Sequence, residues 1–519
     1  MRQGHLAFTI VEGAFSMAIS DIVDSYDHYV KKIMDFNESI ALAEWDMRTG
    51  APKKGIKQRS EVVGTLSDEV FKRSTSKEMK GYIDALTDPS VQDQLSLITK
   101  KMVEKSKKMY DQYVTIPPEE NKAYVILQSE AQSVWREAKA KSDFELLRPY
   151  LEKIVAFKRN FIDYWGVKTN KYDALLDQYE PGLTAETIDH VFGKLRKGLI
   201  PLVESVTSSH AQPDRSFLSI PFPVEKQKEL CLNLLKEIGY DFEAGRLDET
   251  EHPFEITLNP GDVRVTTNYQ EQDFISTVLG TIHEGGHALY EQHISRELVG
   301  TPLCEGTSMG IHESQSLFFE NFIGRSKSFW TCHYDKLKHY GNGQFDDVSL
   351  DDFYRAINVS HPSFIRTLSD ELTYPLHIMV RYDIEKALFN GDLQVKDLPG
   401  IWNEKMNEYL GITPPNDREG VLQDIHWPGG DFGYFPSYAL GYVYAAQFRQ
   451  TMTKDIPDFD EHVRSGNLKI VTTWLSKHIH QFGSLKKPLE ILKDTTGEGP
   501  NPEYLLNYLS EKYSDIYRL

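Results

Sequence analysis

From Ile22 to about Val206, apolar and charged residues recur at helical spacing, as in FELLRPYLEKIVAFKRNFIDYW over residues 144–165. This predicts a run of helices, each burying one stripe. Breaks fall at Pro117-Pro118 and at Pro181-Gly182. Thr184, followed by Glu186 and Thr187, marks the start of a further helix. The stretch HAQPDRSFLSIPFPVEKQ, residues 210–227, holds three prolines and reads as an irregular surface loop. A helix from about Lys226 to Gly239 follows.

The pattern then changes. Glu255–Leu258 and Val263–Thr267 are short and β-branched, with Asn259-Pro260-Gly261-Asp262 between them, which predicts a hairpin. Helical spacing resumes near Gln272 and continues to the end, interrupted by Pro/Gly-rich breaks at 411–419 and 428–436. There is no internal repeat and no low-complexity segment. The expected fold is mainly α: one body over residues 17–519, with a small antiparallel sheet, and residues 1–16 as an N-terminal extension. That extension carries Glu12 in its middle and lacks the basic start and clean apolar stretch of a signal peptide.

Composition narrows the partners. The 519 residues carry a formal charge of −19, which repels phosphate backbones and anionic membranes, so neither nucleic acid nor a membrane is expected as a partner. No apolar run reaches the ~18 residues of a spanning helix. Three cysteines, Cys231, Cys304 and Cys332, cannot all pair and are not at zinc-ribbon spacing, which points to a reduced, cytoplasmic chain.

The chemistry lies in ISTVLGTIHEGGHAL, residues 275–289. Ile275, Val278, Leu279, Ile282 and Leu289 form the buried stripe of a helix. His283 and His287, four apart, share a face and can hold one tetrahedral zinc. Glu284 is turned ~100° from His283, beside the metal, placed to take a proton from an attacking water. This H-E-x-x-H arrangement performs metal-assisted peptide hydrolysis. Gly285 and Gly286 each cost roughly 1 kcal/mol in a helix relative to alanine, so another helix or the substrate must approach closely there. A catalytic zinc needs a third protein ligand. Glu313, in SMGIHESQSLFFE over residues 308–320, supplies a carboxylate from a second helix. His312 and Glu320 beside it are placed to orient the ligands by hydrogen bonds.

HEGGH at 283–287 followed by HESQS at 312–316 resembles the metallocarboxypeptidases of the carboxypeptidase Taq type. HPF at 252–254, DVRVT at 262–266, IRTLSDELTY at 365–374 and GVLQ at 420–423 stand in that family's order, and YDALLDQYEPGLT at 172–184 also looks like it. Ser369 stands where the family usually has alanine. The resemblance implies a two-lobed helical saddle with a long groove, usually a homodimer. It implies removal of single C-terminal residues from peptides with a free C-terminus, with Zn2+ or sometimes Co2+ on His283, His287 and Glu313.

Remaining roles follow from the needs of that reaction. The oxyanion of peptide hydrolysis needs donors, and His426, Tyr434 and Tyr438 lie in a glycine- and aromatic-rich segment suited to line a substrate. The terminal carboxylate calls for an arginine fork. Arg366 is the first choice, with Gln423 as its neighbour; the resemblance implies that their two motifs close the groove beyond the leaving residue. Arg264 is the weaker choice, since Asp262 can occupy it. An exposed edge of the hairpin can pair with an extended peptide and give broad side-chain specificity. The competing readings are a dipeptidyl carboxypeptidase or oligoendopeptidase with the same zinc site, and a catalytically silent zinc-stabilised scaffold.

Overall fold

A computed structural model describes residues 18–167, 170–341 and 343–519. The expected extension at 1–16 lies outside the described residues. Within them the chain is mainly helical, and the helices start and stop where local chemistry dictates. Pro118 occupies the first turn of Pro118–Lys141, where its missing N–H costs nothing. Asp143 caps Phe144–Tyr164, which buries Phe144, Leu147, Leu151, Ile154, Phe161 and Ile162 along one stripe. Thr184 caps Ala185–Ser208, its hydroxyl accepting the Thr187 N–H at 3.3 Å. Gly239, at φ 105°, closes Val224–Ile238 in the left-handed conformation that glycine adopts without strain.

The proline-rich stretch after Ser208 is irregular as expected, but it is not wholly at the surface. A single turn, Ser216–Ser219, buries Phe217 and Leu218, and Phe217 meets Phe345 edge-on at 6.2 Å. Gln344 ties it down by donating to the carbonyls of Phe217 and Ile220.

The hairpin forms with Glu255 opposite Val265 and Asn259 opposite Asp262. The Asn259 side chain accepts the Gly261 N–H at 2.8 Å, which shapes the turn. The sheet has a third strand, so the expectation of a purely antiparallel sheet is corrected. Strand β1 (Leu247–Glu249) runs parallel to β3 (Asp262–Thr267), while β2 (Glu255–Asn259) is antiparallel to β3 on the other side. Gly245 lets the chain enter β1 in contact with β3: a Cβ there would fall 2.0 Å from the Val263 carbonyl oxygen. Tyr240 donates its hydroxyl to the same oxygen at 2.6 Å.

One hydrophobic cluster extends from Tyr26 to Tyr517, so the first and last described helices share a core. No helix among the described residues is long and apolar enough to cross a membrane. The sheet meets the helix that carries His283 through Thr267 and Thr281, whose hydroxyls are 2.7 Å apart and buried.

Candidate active site

The histidine helix, Phe274–Gln292, is buried along most of its length, and its two glycines explain how. A Cβ on Gly285 would come 2.6 Å from Leu235 and 2.8 Å from Ile238 on the helix Val224–Ile238. A Cβ on Gly286 would come 2.6 Å from the Gln315 carbonyl oxygen and 2.7 Å from Ser316 Cα. Both glycines therefore admit neighbouring helices, not substrate. The second neighbour is the glutamate helix, Met309–Leu317, capped by Ser308. On its far side Gly441 keeps the helix Pro436–Asp455 close, where a Cβ would fall 2.9 Å from Glu313 Cβ. Glu313 is thus pressed between two helices and aimed at the histidines.

His283 and His287 lie with ring centroids 5.0 Å apart. Glu313 Oε2 is 3.8 Å from His283 Nε2 and 3.4 Å from His287 Nε2. The outer nitrogens are held from behind. His283 Nδ1 is 2.9 Å from Glu320 Oε2, and His287 Nδ1 is 2.6 Å from His312 Nδ1. His312 Nε2 in turn meets Glu291 Oε1 at 3.0 Å. These partners set the tautomers. Glu320 accepts the His283 Nδ1–H. Glu291 accepts the His312 Nε2–H, so His312 Nδ1 accepts the His287 Nδ1–H. Both Nε2 lone pairs then face Glu313, whose carboxylate is steadied by the Ser316 hydroxyl at 3.2 Å. Three lone-pair donors converging on one point repel one another until a cation stands among them. Two imidazoles and one carboxylate are a donor set that can hold a divalent metal and leave a position open. The ligand atoms lie within 4.8 Å of one another.

Without an ion, a proton takes the cation's place on His283. Burial lowers His283, but Glu313 and Glu320 outweigh it and raise it to about 10. The carboxylates in this cluster call for positive charge. Burial also brings His287 down to about 4, as a neutral ligand requires. Glu320 is held down to about 2: His283 and Arg325 overcome its burial. Glu284 lines the same cavity, and burial pushes it up to about 7, within reach of proton transfer near neutrality.

The cavity holds about 710 Å³, and its lining also includes Arg366, Tyr374, Tyr434 and Tyr438. Arg366 Nε and Nη2 reach Asp424 Oδ1 at 3.1 and 3.0 Å, and its Nη1 donates to the Tyr374 hydroxyl at 3.1 Å. Arg381, fully buried, grips Asp424 Oδ2 at 2.8 and 2.6 Å. One carboxylate thus faces two guanidiniums. Two further acids of the lining, Glu371 and Asp370, are already satisfied. Glu371 pairs with buried Lys512, and Asp370 accepts from the hydroxyls of Ser360 and Thr373 and from three backbone N–H groups.

The chain matches the family model described as carboxypeptidase Taq (M32) metallopeptidase over residues 25–513. It belongs to that family. It is 56% identical over 490 residues to carboxypeptidase 1 of Bacillus subtilis, covering 94% of this chain and 97% of that one. It is 40% identical over 487 residues to thermostable carboxypeptidase 1 of Thermus thermophilus, covering 92% and 95%. The crystal structure of an M32 carboxypeptidase from Deinococcus radiodurans superposes with a TM-score of 0.93 at 32% identity, covering 96% of this chain and all of that one.

In this metallocarboxypeptidase the residues expected from sequence fall into three groups. His283, Glu284, His287, Glu313, Arg366, Tyr434 and Tyr438 line the cavity together. Burial raises both tyrosines, so their phenols stay protonated and can donate. Gln423 and His426 stand one layer behind it. The Gln423 carbonyl accepts from the Arg366 backbone N–H at 2.9 Å and from Arg381 at 2.8 Å, so it braces the arginines. His426 packs against Phe435 and Tyr434 at 4.5 and 5.5 Å, and burial brings it down to about 4. Arg264 is not brought to the cavity. Asp262 holds it bidentately at 2.7 and 2.7 Å, over the Trp45 ring. Sequence reasoning missed Arg381, Asp424 and Glu291. Arg381 had a signal: it is the one charge in the apolar run YPLHIMVRY.

Proposed function

We propose that this metallocarboxypeptidase releases single residues from the free C-termini of peptides, with zinc, or cobalt in its place, held by His283, His287 and Glu313. The observation that carries this reading is the polarity of one cavity. Carboxylates and imidazole nitrogens gather in one part of its lining, and Arg366, backed by Arg381 and Asp424 behind the lining, supplies a positive charge in another. A peptide terminus has the matching polarity, with its scissile carbonyl inward of its carboxylate.

The metal, when bound, polarises the scissile carbonyl and makes water a nucleophile near neutral pH. Glu284 takes the proton of that water and delivers it to the leaving amine. Tyr434 and Tyr438 offer hydroxyl donors to the developing oxyanion. Arg366 receives the terminal carboxylate, held in place by Gln423 and Asp424. Strand β2 is an edge strand, and residues 253–255 at its start line the cavity, so the substrate main chain can pair there with little demand on side chains. A homodimer in the cytoplasm completes the reading; the family resemblance supports the first and three unpaired cysteines the second.

The test is a metal-reconstituted digest of paired peptides, one with a free C-terminus and one amidated, read by mass. A ladder falling one residue at a time from the free peptide alone is expected. Two-residue steps would indicate a dipeptidyl carboxypeptidase, and equal cleavage of both peptides an oligoendopeptidase.

A further inference from the structure

Away from the cavity, a second group of ligand-type side chains converges on one point. Glu237 ends the helix Val224–Ile238, and Cys332 and His333 lie on Lys327–Tyr340. One ligand atom from each lies within 4.8 Å of the other two. His333 Nε2 is 3.2 Å from Glu237 Oε1, yet the two atoms make no hydrogen bond with each other or with any other group. Both are cut off from solvent. The His333 side chain is only 7% exposed, so its polar nitrogen has been buried without a partner. Leaving such a group unsatisfied costs roughly 1–3 kcal/mol. A close N···O approach that lacks hydrogen-bond alignment is what two ligands show when they aim at a shared ion rather than at each other.

The chain also keeps space beside them. Gly466, at φ +74°, turns the backbone against the group, and a Cβ there would fall 2.9 Å from Glu237 Oε1 and 3.3 Å from Cys332 Sγ. We propose that Glu237, Cys332 and His333 form a second metal site, selective for a borderline-soft divalent ion such as Zn2+, Co2+ or Cd2+.

The donor chemistry sets that selectivity. A thiolate and an imidazole disfavour Mg2+ and Ca2+, which take oxygen ligands. One thiolate and one carboxylate neutralise a divalent ion, and three protein ligands leave a fourth position for water. Binding releases the proton of Cys332, an exposed thiol, so affinity rises with pH. Glu237 follows Leu235 and precedes Ile238, the side chains seated against Gly285 of the histidine helix. An ion here therefore clamps that supporting helix to Lys327–Tyr340.

Sulfur separates this site from the catalytic one, which has none. The metal-free protein, kept reduced with a phosphine, is titrated with Co2+ while activity and the near-ultraviolet spectrum are followed. Expected is a second metal equivalent that brings a sulfur-to-cobalt charge-transfer band. Cys332→Ser removes the band and that equivalent, and leaves cobalt-dependent hydrolysis intact. Glu237→Gln keeps the thiol and moves the band to higher cobalt concentration. An active protein with no band in the unaltered chain overturns the proposal, as does a band that survives Cys332→Ser or a titration that Glu237→Gln does not move. Hydrolysis reports separately on the His283 site, so failure of one reading is distinct from failure of the other.

Discussion

In the histidine cluster, Glu320 holds His283 Nδ1 and His312, itself bonded to Glu291, holds His287 Nδ1, so both Nε2 atoms and Glu313 face one shared point. In the arginine cluster, the guanidinium nitrogens that face Asp424 are already bonded to it. The first cluster, on the proposed reading, takes up a cation between its three groups. The second is complete as folded and keeps a surplus positive charge. Buried groups that wait for a ligand add little to folding, whereas a closed ionic network leaves a bare charge behind when one member is removed. The two clusters should therefore respond differently to substitution, one in function and the other in stability as well.

The largest effect is expected from Glu313→Ala. Hydrolysis should fall to background and the metal should be lost on gel filtration, while the melting temperature of the metal-free protein holds. A melting temperature that collapses would erase the contrast. Glu284→Gln should retain the metal and lose about 10²–10⁴-fold in kcat, the range of general acid–base catalysis. Metal analysis and steady-state rates on one sample check both halves. Asp424→Asn should cost about 3–5 kcal/mol in denaturant unfolding, because two buried guanidiniums lose their shared counter-charge. Arg366→Met should raise KM for free-carboxylate peptides by roughly 10–100-fold, the worth of a charge-assisted hydrogen bond. A matching fall in kcat instead would move Arg366 from recognition to chemistry. Smallest in its effect on rate at saturating metal is Glu320→Gln, which should weaken metal affinity about 10–100-fold, read by competition with a chelator.

The helical body was legible because its signals are local. Thr184, Pro118 and Gly239 each act within one turn, and the stripe in 144–165 needs only its own period. The convergence of His283, His287 and Glu313, the proposed metal trio, was legible for a similar reason: most of its spacing is set inside two helices. Strand β1 was not, since three residues, Leu-Asp-Glu, show no alternation and gain their form from β3 alone. Glu320 was expected beside Glu313 to orient a ligand, and it reaches His283 from a π-helical segment, Phe318–Gly324, that local spacing does not announce. Asp424 and Arg381 pair across 43 residues of sequence, a relation no local pattern encodes. Arg264 shows the converse: its partner, Asp262, stands two residues away, and that near neighbour claims it.

Gly286 touches the glutamate helix backbone to backbone. Contacts between side chains loosen on warming as rotamers multiply, but a main-chain contact has no rotamers to populate. The spacing between the two ligand-bearing helices is thus insensitive to heat until the helices themselves come apart. Thermal inactivation should then be abrupt, with metal release and loss of the tertiary fold occurring as one event.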